Sequence, residues 1–183
     1  NWDSNQHLHP DERFLTMVET SIQPVDSLKN YFDTAPSTLN PNNAGYTFYV
    51  YGTLPLFITY SAAEAVGITG WDMYLVGRYV SAGVDILTIL LAYLIGIALF
   101  KKQSIGVLAA AFYAYSVLPI QLSHYFTVDI QANFFSMAAL YCAVLVMNQH
   151  VSAQTKNENK DEENPGNPSA IAAWLTKNWA QFV

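Results

Sequence analysis

Residues 79–100 constrain this chain more than any other stretch: they are apolar almost throughout, carry Asp85 as their single charge, and are followed at once by Lys101 and Lys102. A bilayer span needs about 20 mainly apolar residues, so this stretch reads as a transmembrane helix. The two lysines place its C-terminal end in the cytoplasm, because basic residues collect on that side. Two further apolar runs, 105–118 and 132–147, approach the same length with their flanks. The chain is therefore expected to return outward over 104–123 and inward again over 129–148, which puts the turn 124–129 outside.

Composition agrees with a membrane protein. Hydrophobic residues make up 52% and aromatic residues 14% of the chain, and they concentrate between positions 46 and 149, with most charges outside that block, as a bilayer sorts them. The net charge of −6 comes largely from acids in the first 35 residues and in 158–163. No basic patch is present, so nucleic acid is excluded as a partner. Cys142, the single cysteine, lies in an apolar run and is expected to serve packing. The chain starts at Asn1 without a signal-peptide pattern and stops as an apolar segment begins, so it is expected to be part of a longer polytopic protein. No internal repeat is evident.

The organisation follows. Residues 1–45 are polar and turn-rich, an extracytoplasmic loop. Within it Pro10 at a first helical position, Asp11 and Glu12 behind it, and Phe14, Leu15, Val18 and Ile22 on one side predict a short helix over 10–22. Residues 46–66 are long enough to span, but Gly52 and Pro55 interrupt them and tyrosines crowd their start. Tyrosine favours the headgroup level, so a bent juxtamembrane helix in the interface is expected. Residues 79–149 hold about three transmembrane helices. Residues 150–168 read as a mobile cytoplasmic loop, and 169–183, with Trp174 and Trp179, as the start of a further helix.

Ionisable residues gather in two places. His7-Leu-His9-Pro-Asp11-Glu12 could bind a divalent cation, since alternate residues of an extended stretch project the same way; the same acids are also what an ordinary first helical turn carries. In the second place, 116–135, Pro119 is expected to end or kink one apolar run and Asp129 to begin the next. Two readings of Asp129 stand: a helix cap that accepts orphan amide protons, or a carboxylate held where water meets lipid. Arg78, at the outer end of its helix, is placed to meet a lipid phosphate, to snorkel, or to pair with Asp85 two turns further in. Asp85, an acid at membrane depth, should face protein or a wet cavity. His124 either lines a pocket or caps the turn.

Gly77-Arg78, Val80-Ser81, the Lys101-Lys102 turn, Gly106-Val-Leu-Ala-Ala-Ala, Ser116-Val-Leu-Pro119 and His124-Tyr-Phe-Thr-Val-Asp129 through Phe134-Phe135 together resemble the N-terminal part of GT-C glycosyltransferases of the protein O-mannosyltransferase and aminoarabinose-transferase type. The resemblance covers residues 7–149 and implies an all-α polytopic membrane fold with an extracytoplasmic loop and short juxtamembrane helices. It also implies a sugar donor carried on polyprenyl phosphate and used outside the cytoplasmic membrane. In such enzymes the first loop carries a catalytic acid, often Asp-Glu, and a later turn carries a second acid. Asp11 with Glu12 matches the first, and Asp129 the second. The chain departs from the pattern at Val128, where proline is usual. It departs again at Gly52-Thr-Leu-Pro55, which lacks the basic residue often found before the juxtamembrane prolines.

What the resemblance implies chemically is transfer from a lipid-phosphate sugar to an acceptor hydroxyl with inversion, a carboxylate serving as general base. Asp11 is the expected base, with Glu12 and Asp129 in support and His9, Arg78 and His124 on the substrate side. A divalent cation or an arginine would stabilise the leaving phosphate. The acceptor is a protein, lipid or glycan hydroxyl, and the fragment alone is expected to be inactive. The competing expectation is a noncatalytic membrane subunit of a larger complex that keeps the scaffold, since fold does not fix function. A transporter segment is disfavoured by the scarcity of ionisable residues in the spans.

Overall fold

The structure, a computed structural model, describes residues 9–163. These residues are helical and irregular only, and they form seven α-helices. Two of the helices are long and apolar enough to cross a membrane by length and composition. Compact packing groups residues up to Ala139 into one unit, and Leu140 onward forms a second.

Helix α1, Pro10–Glu19, starts where the sequence predicts, with His9 as its N-cap, and ends three residues earlier than expected at the Thr20 C-cap. Leu15, Val18 and Ile22 are buried with Leu56 and Phe126, and Phe14, Tyr46, Tyr49 and Tyr51 pack around them. The loop thus folds onto the membrane helices with a core of its own. A short helix α2, Leu28–Phe32, begins at the Ser27 cap.

The bent helix expected over 46–66 is instead an irregular, tyrosine-lined approach followed by α3, Leu54–Val66, which ends at Gly67 in the left-handed region (φ 74°). Pro55 lies in the first turn of α3, where its missing N–H breaks no hydrogen bond; it starts the helix and does not bend it. The 13 residues of α3 reach about 20 Å at 1.5 Å each, short of a hydrocarbon core of about 30 Å.

After a 3-10 turn at Gly70–Asp72, α4 runs Met73–Phe100, six residues earlier than the sequence suggests. Lys101 closes it in the left-handed region (φ 55°), and its Nζ donates to the Ala98 carbonyl at 2.7 Å. The single outward helix expected over 104–123 is two: α5, Gln103–Ala114, and α6, Val117–Leu122. A proline ring excludes the carbonyl four residues back, here that of Tyr115, so the break falls at Tyr115–Ser116 and Pro119 itself sits inside the first turn of α6. Helices α4 and α5 meet where a Cβ on Gly96 would lie 2.9 Å from the Gly106 Cα, and one on Gly106 would lie 2.8 Å from the Tyr93 carbonyl oxygen. Small residues allow such close approach between membrane helices.

Helix α7, Val128–Glu163, corrects two expectations. Asp129 is not the cap but a first-turn residue, one position inside the helix, where an acid still favours the dipole; Thr127 precedes the helix, and its buried Oγ1 has no hydrogen-bond partner among the described residues. Residues 150–163, expected as a mobile loop, continue the helix. Low hydrophobicity argued for disorder there, but Ala, Gln, Lys and Glu are good helix formers, and the first breakers are Pro165 and Gly166. Cys142, expected in packing, is exposed on this helix. The rest of the expected loop and the expected helix start at 169–183 lie outside the described residues.

Within α1, Glu19 is buried and both carboxyl oxygens lack a hydrogen-bond partner. Burial pushes its carboxyl up from 4.5 to about 8, since low dielectric disfavours the charged form. A raised carboxyl stabilises the fold fully below its unfolded value, and that stability drains as pH climbs from about 4.5 to about 8, by up to about 1.4 kcal/mol per unit. Glu19→Gln is expected to flatten the stability profile over that window and to raise the melting temperature at neutral pH. Thermal unfolding of detergent-solubilised protein across the pH range reads both; an unchanged slope would show that Glu19 is solvated.

Candidate active site

The site is built where α1, the approach to α3, the start of α4 and the turn before α7 meet. Its fixed point is Glu12. Being one residue on from Asp11, it is turned by about 100° around the helix, and it points inward. Its carboxylate is fully buried. Oε1 accepts from Arg78 Nε at 2.7 Å and Oε2 from Arg78 Nη2 at 2.6 Å, a two-pronged pair suited to the planar guanidinium. Oε1 also accepts from the Phe126 backbone N–H at 3.0 Å. One side chain thus ties the N-terminal loop to α4 and to the segment leading into α7.

Arg78 therefore pairs with Glu12, in place of the expected Asp85 or a wholly water-facing position. Its guanidinium carbon lies 4.8 Å from the Tyr74 ring centroid and 5.8 Å from that of Tyr125, within the range where a cation is attracted to an aromatic face. Tyr125 in turn packs against His9 at 4.2 Å between centroids. His9 caps α1, its Nδ1 accepting from the Glu12 N–H at 3.4 Å. Phe126 seats because position 77 is glycine: a Cβ there would lie 2.3 Å from Phe126 Cγ.

Asp11 faces the other way. Its Oδ1 accepts from the Tyr51 hydroxyl at 3.4 Å. Tyr51 is half-buried in a rank of rings with Phe14 and Tyr49, at 6.2 and 5.8 Å. Its phenol is pushed above its ordinary value by desolvation first, then by the Asp11 charge and hydrogen bond, and then by the Asp129 charge. The hydrogen bond ties Tyr51 to Asp11, and Asp129 lies within electrostatic reach of the same phenol. Asp129 is exposed on the first turn of α7.

His124 stands at the edge. It is exposed, and its Nδ1 lies 2.5 Å from the Ile120 carbonyl oxygen at the end of α6, which is the capping role. With Val117, Ile120, Gln121 and Tyr125 it also lines an open, apolar depression. Asp85 faces protein, accepting from the Tyr113 hydroxyl at 2.8 Å, which itself accepts from Asn133 Nδ2 at 2.7 Å.

Among the described residues no three His, Cys, Asp or Glu side chains gather as metal ligands, and His7 lies outside those residues. Of the six residues singled out from sequence, the structure brings Asp11, Glu12, His9, Arg78 and Asp129 to one end of the helices and leaves His124 at its border. It adds Tyr51, Tyr74, Tyr125, Phe126 and Gly77. Tyr51 reads in sequence as an interfacial aromatic like its neighbours, and Tyr125 stands in the segment His124-Tyr-Phe-Thr-Val-Asp129 without a role of its own.

Removing one member of a buried pair strands the other's charge, at a cost of about 3–5 kcal/mol. Glu12→Gln and Arg78→Gln are each expected to lower thermal stability by that order. The double variant is expected to lose clearly less than the sum, and additive losses would show that the two side chains do not meet.

Residues 39–160 match the family model described as dolichyl-phosphate-mannose-protein mannosyltransferase. No curated protein and no solved structure matches the chain. With two-thirds of its length matched, an all-helical build with two helices apolar enough to span a bilayer, and acids gathered where α4 and α7 begin, the chain belongs to the dolichyl-phosphate-mannose-protein mannosyltransferase family of membrane glycosyltransferases.

Proposed function

We propose that the complete protein moves a sugar from a polyprenyl-phosphate donor to an acceptor hydroxyl on the extracytoplasmic side, with Asp11 as general base. The observation that carries this reading is Asp11 held by the Tyr51 hydroxyl, with Asp129 within electrostatic reach of the same phenol, in a chain of this family. Asp11 takes the proton of the acceptor hydroxyl as its oxygen bonds to the anomeric carbon from the face opposite the phosphate. The bond from that carbon to the phosphate oxygen breaks, its electron pair leaves with the lipid phosphate, and the configuration inverts. Asp129, exposed on the first turn of α7, orients the acceptor. The departing phosphate needs a positive partner, an arginine or a divalent cation.

Glu12 is assigned a different task from the one its sequence position suggests. Both its oxygens are engaged and it is closed to solvent, so it positions the loop that carries Asp11. His9 and Arg78 form the wall behind the acids through Tyr125 and Tyr74.

The reading requires residues 11 and 129 on one side of the bilayer. Support comes from α3: its approach carries Tyr51 to Asp11, and its far end leads within a few residues to Met73, just over a turn before Arg78. Both ends of α3 therefore lie near the same end of α4.

Full-length protein supplied with a polyprenyl-phosphate sugar is expected to transfer it, and Asp11→Asn to lower turnover by about 10²–10⁴ while donor binding persists. Unchanged turnover removes Asp11 from the mechanism. Single cysteines at 11 and 129, with Cys142 replaced, are expected to react with an impermeant thiol reagent from the outer side alike. Opposite accessibility would end the shared-site reading.

A further inference from the structure

We propose that the Tyr51 hydroxyl is a positioning group for Asp11, holding Oδ1 so that the second carboxylate oxygen meets the acceptor. This rests on the reading of Asp11 as base and adds a residue to it. Neither charge nor spacing in the sequence points to Tyr51. Its ring is fixed on three sides: Phe14 and Tyr49 pack against it at 6.2 and 5.8 Å, and its backbone leads within three residues into α3. Tyr49 anchors the same segment by donating to the Gly52 carbonyl at 3.1 Å. A two-torsion aromatic side chain held this way delivers its hydroxyl to a defined point at little entropic cost.

The hydroxyl has one donor and gives it to Asp11 on α1, with the charge of Asp129 on α7 within reach. Arg78 is joined to Glu12. A carboxylate accepts and cannot donate, so between two acids a phenol serves as donor, and the two acids keep it protonated by disfavouring phenolate. It therefore supplies the same hydrogen bond across the working pH range. A donor at a fixed point engages one carboxylate oxygen and leaves the other for the acceptor. Without it, Asp11 would be free to rotate.

Tyr51→Phe removes the hydroxyl and keeps the ring, so the aromatic rank should persist. The full-length variant is expected to lose about tenfold in kcat, the size of one hydrogen bond, with the donor KM within about twofold. Tyr49→Phe, which keeps the Tyr51 hydroxyl, is expected to lose clearly less. A Tyr51→Phe enzyme with the wild-type kcat overturns the proposal, and so does an equal loss in Tyr49→Phe. Should the wild-type protein transfer no sugar, the enzymatic reading fails by itself. An infrared arm then decides for Tyr51: the Asp11 carboxylate band, assigned by difference against Asp11→Asn, is expected to shift in Tyr51→Phe. An identical band refutes the contact.

Discussion

A carboxylate and a guanidinium, taken out of water together, hold this molecule's loop to its membrane helices. Isolated burial of either charge is costly, and the attraction offsets that cost only when the geometry is good and the remaining lone pairs are satisfied. The Glu12–Arg78 pair meets both conditions, with two short hydrogen bonds and a third from the Phe126 N–H. Three distant parts of the sequence, at positions 12, 78 and 126, are thereby fixed at one point. The aromatic walls from Tyr74, Tyr125 and His9 keep water from competing for the pair, and Gly77 leaves the room that Phe126 fills.

That anchoring separates the tasks of two adjacent acids. Neighbouring residues on a helix do not share a face. With Glu12 turned inward, Asp11 must face the approach to α3, where Tyr51 stands. Had the register of α1 slipped by one residue, the acid left outside would have been the one now buried. His9 as N-cap and Pro10 behind it set that register, because proline fixes the backbone at the first helical position. The chemistry proposed for Asp11 therefore depends on a helix start two residues away as much as on the carboxylate.

Composition and hydropathy made the membrane class legible, and the Pro10-Asp-Glu start made α1 legible. Asp11, Glu12 and Asp129 were recognisable as site residues through the resemblance of their segments to GT-C glycosyltransferases, and Arg78 as an ionisable residue at the end of an apolar helix. Their partners were not. Arg78 has an acid on its own helix, Asp85, so local spacing favoured that pair, whereas the observed partner lies 66 residues away. The break at Tyr115–Ser116 was half legible: Pro119 signalled it, but a proline's steric reach is four residues toward the N-terminus, and the expectation placed the break at the proline. The helix through 150–163 was misread because low hydrophobicity and helix propensity pointed in different directions, and propensity prevailed.

Asp85, released from Arg78, finds its place deeper in the bundle. An acid at membrane depth is tolerated when it faces protein and accepts hydrogen bonds, and here the Tyr113 hydroxyl donates to it while Asn133 donates to Tyr113. The chain of donors runs from α7 through α5 to α4, so each of those helices contributes one member. Apolar packing between membrane helices has little directional preference, because lipid tails are as apolar as the side chains they replace. A hydrogen-bonded file has direction, and together with the close approach at Gly96 and Gly106 it fixes the rotation of α5 against α4. The rotation of α4 also decides where Arg78 points. The polar file at depth and the ion pair near the N-terminal end of α4 therefore constrain the same helix from two levels, and the loop that carries Asp11 is held by both.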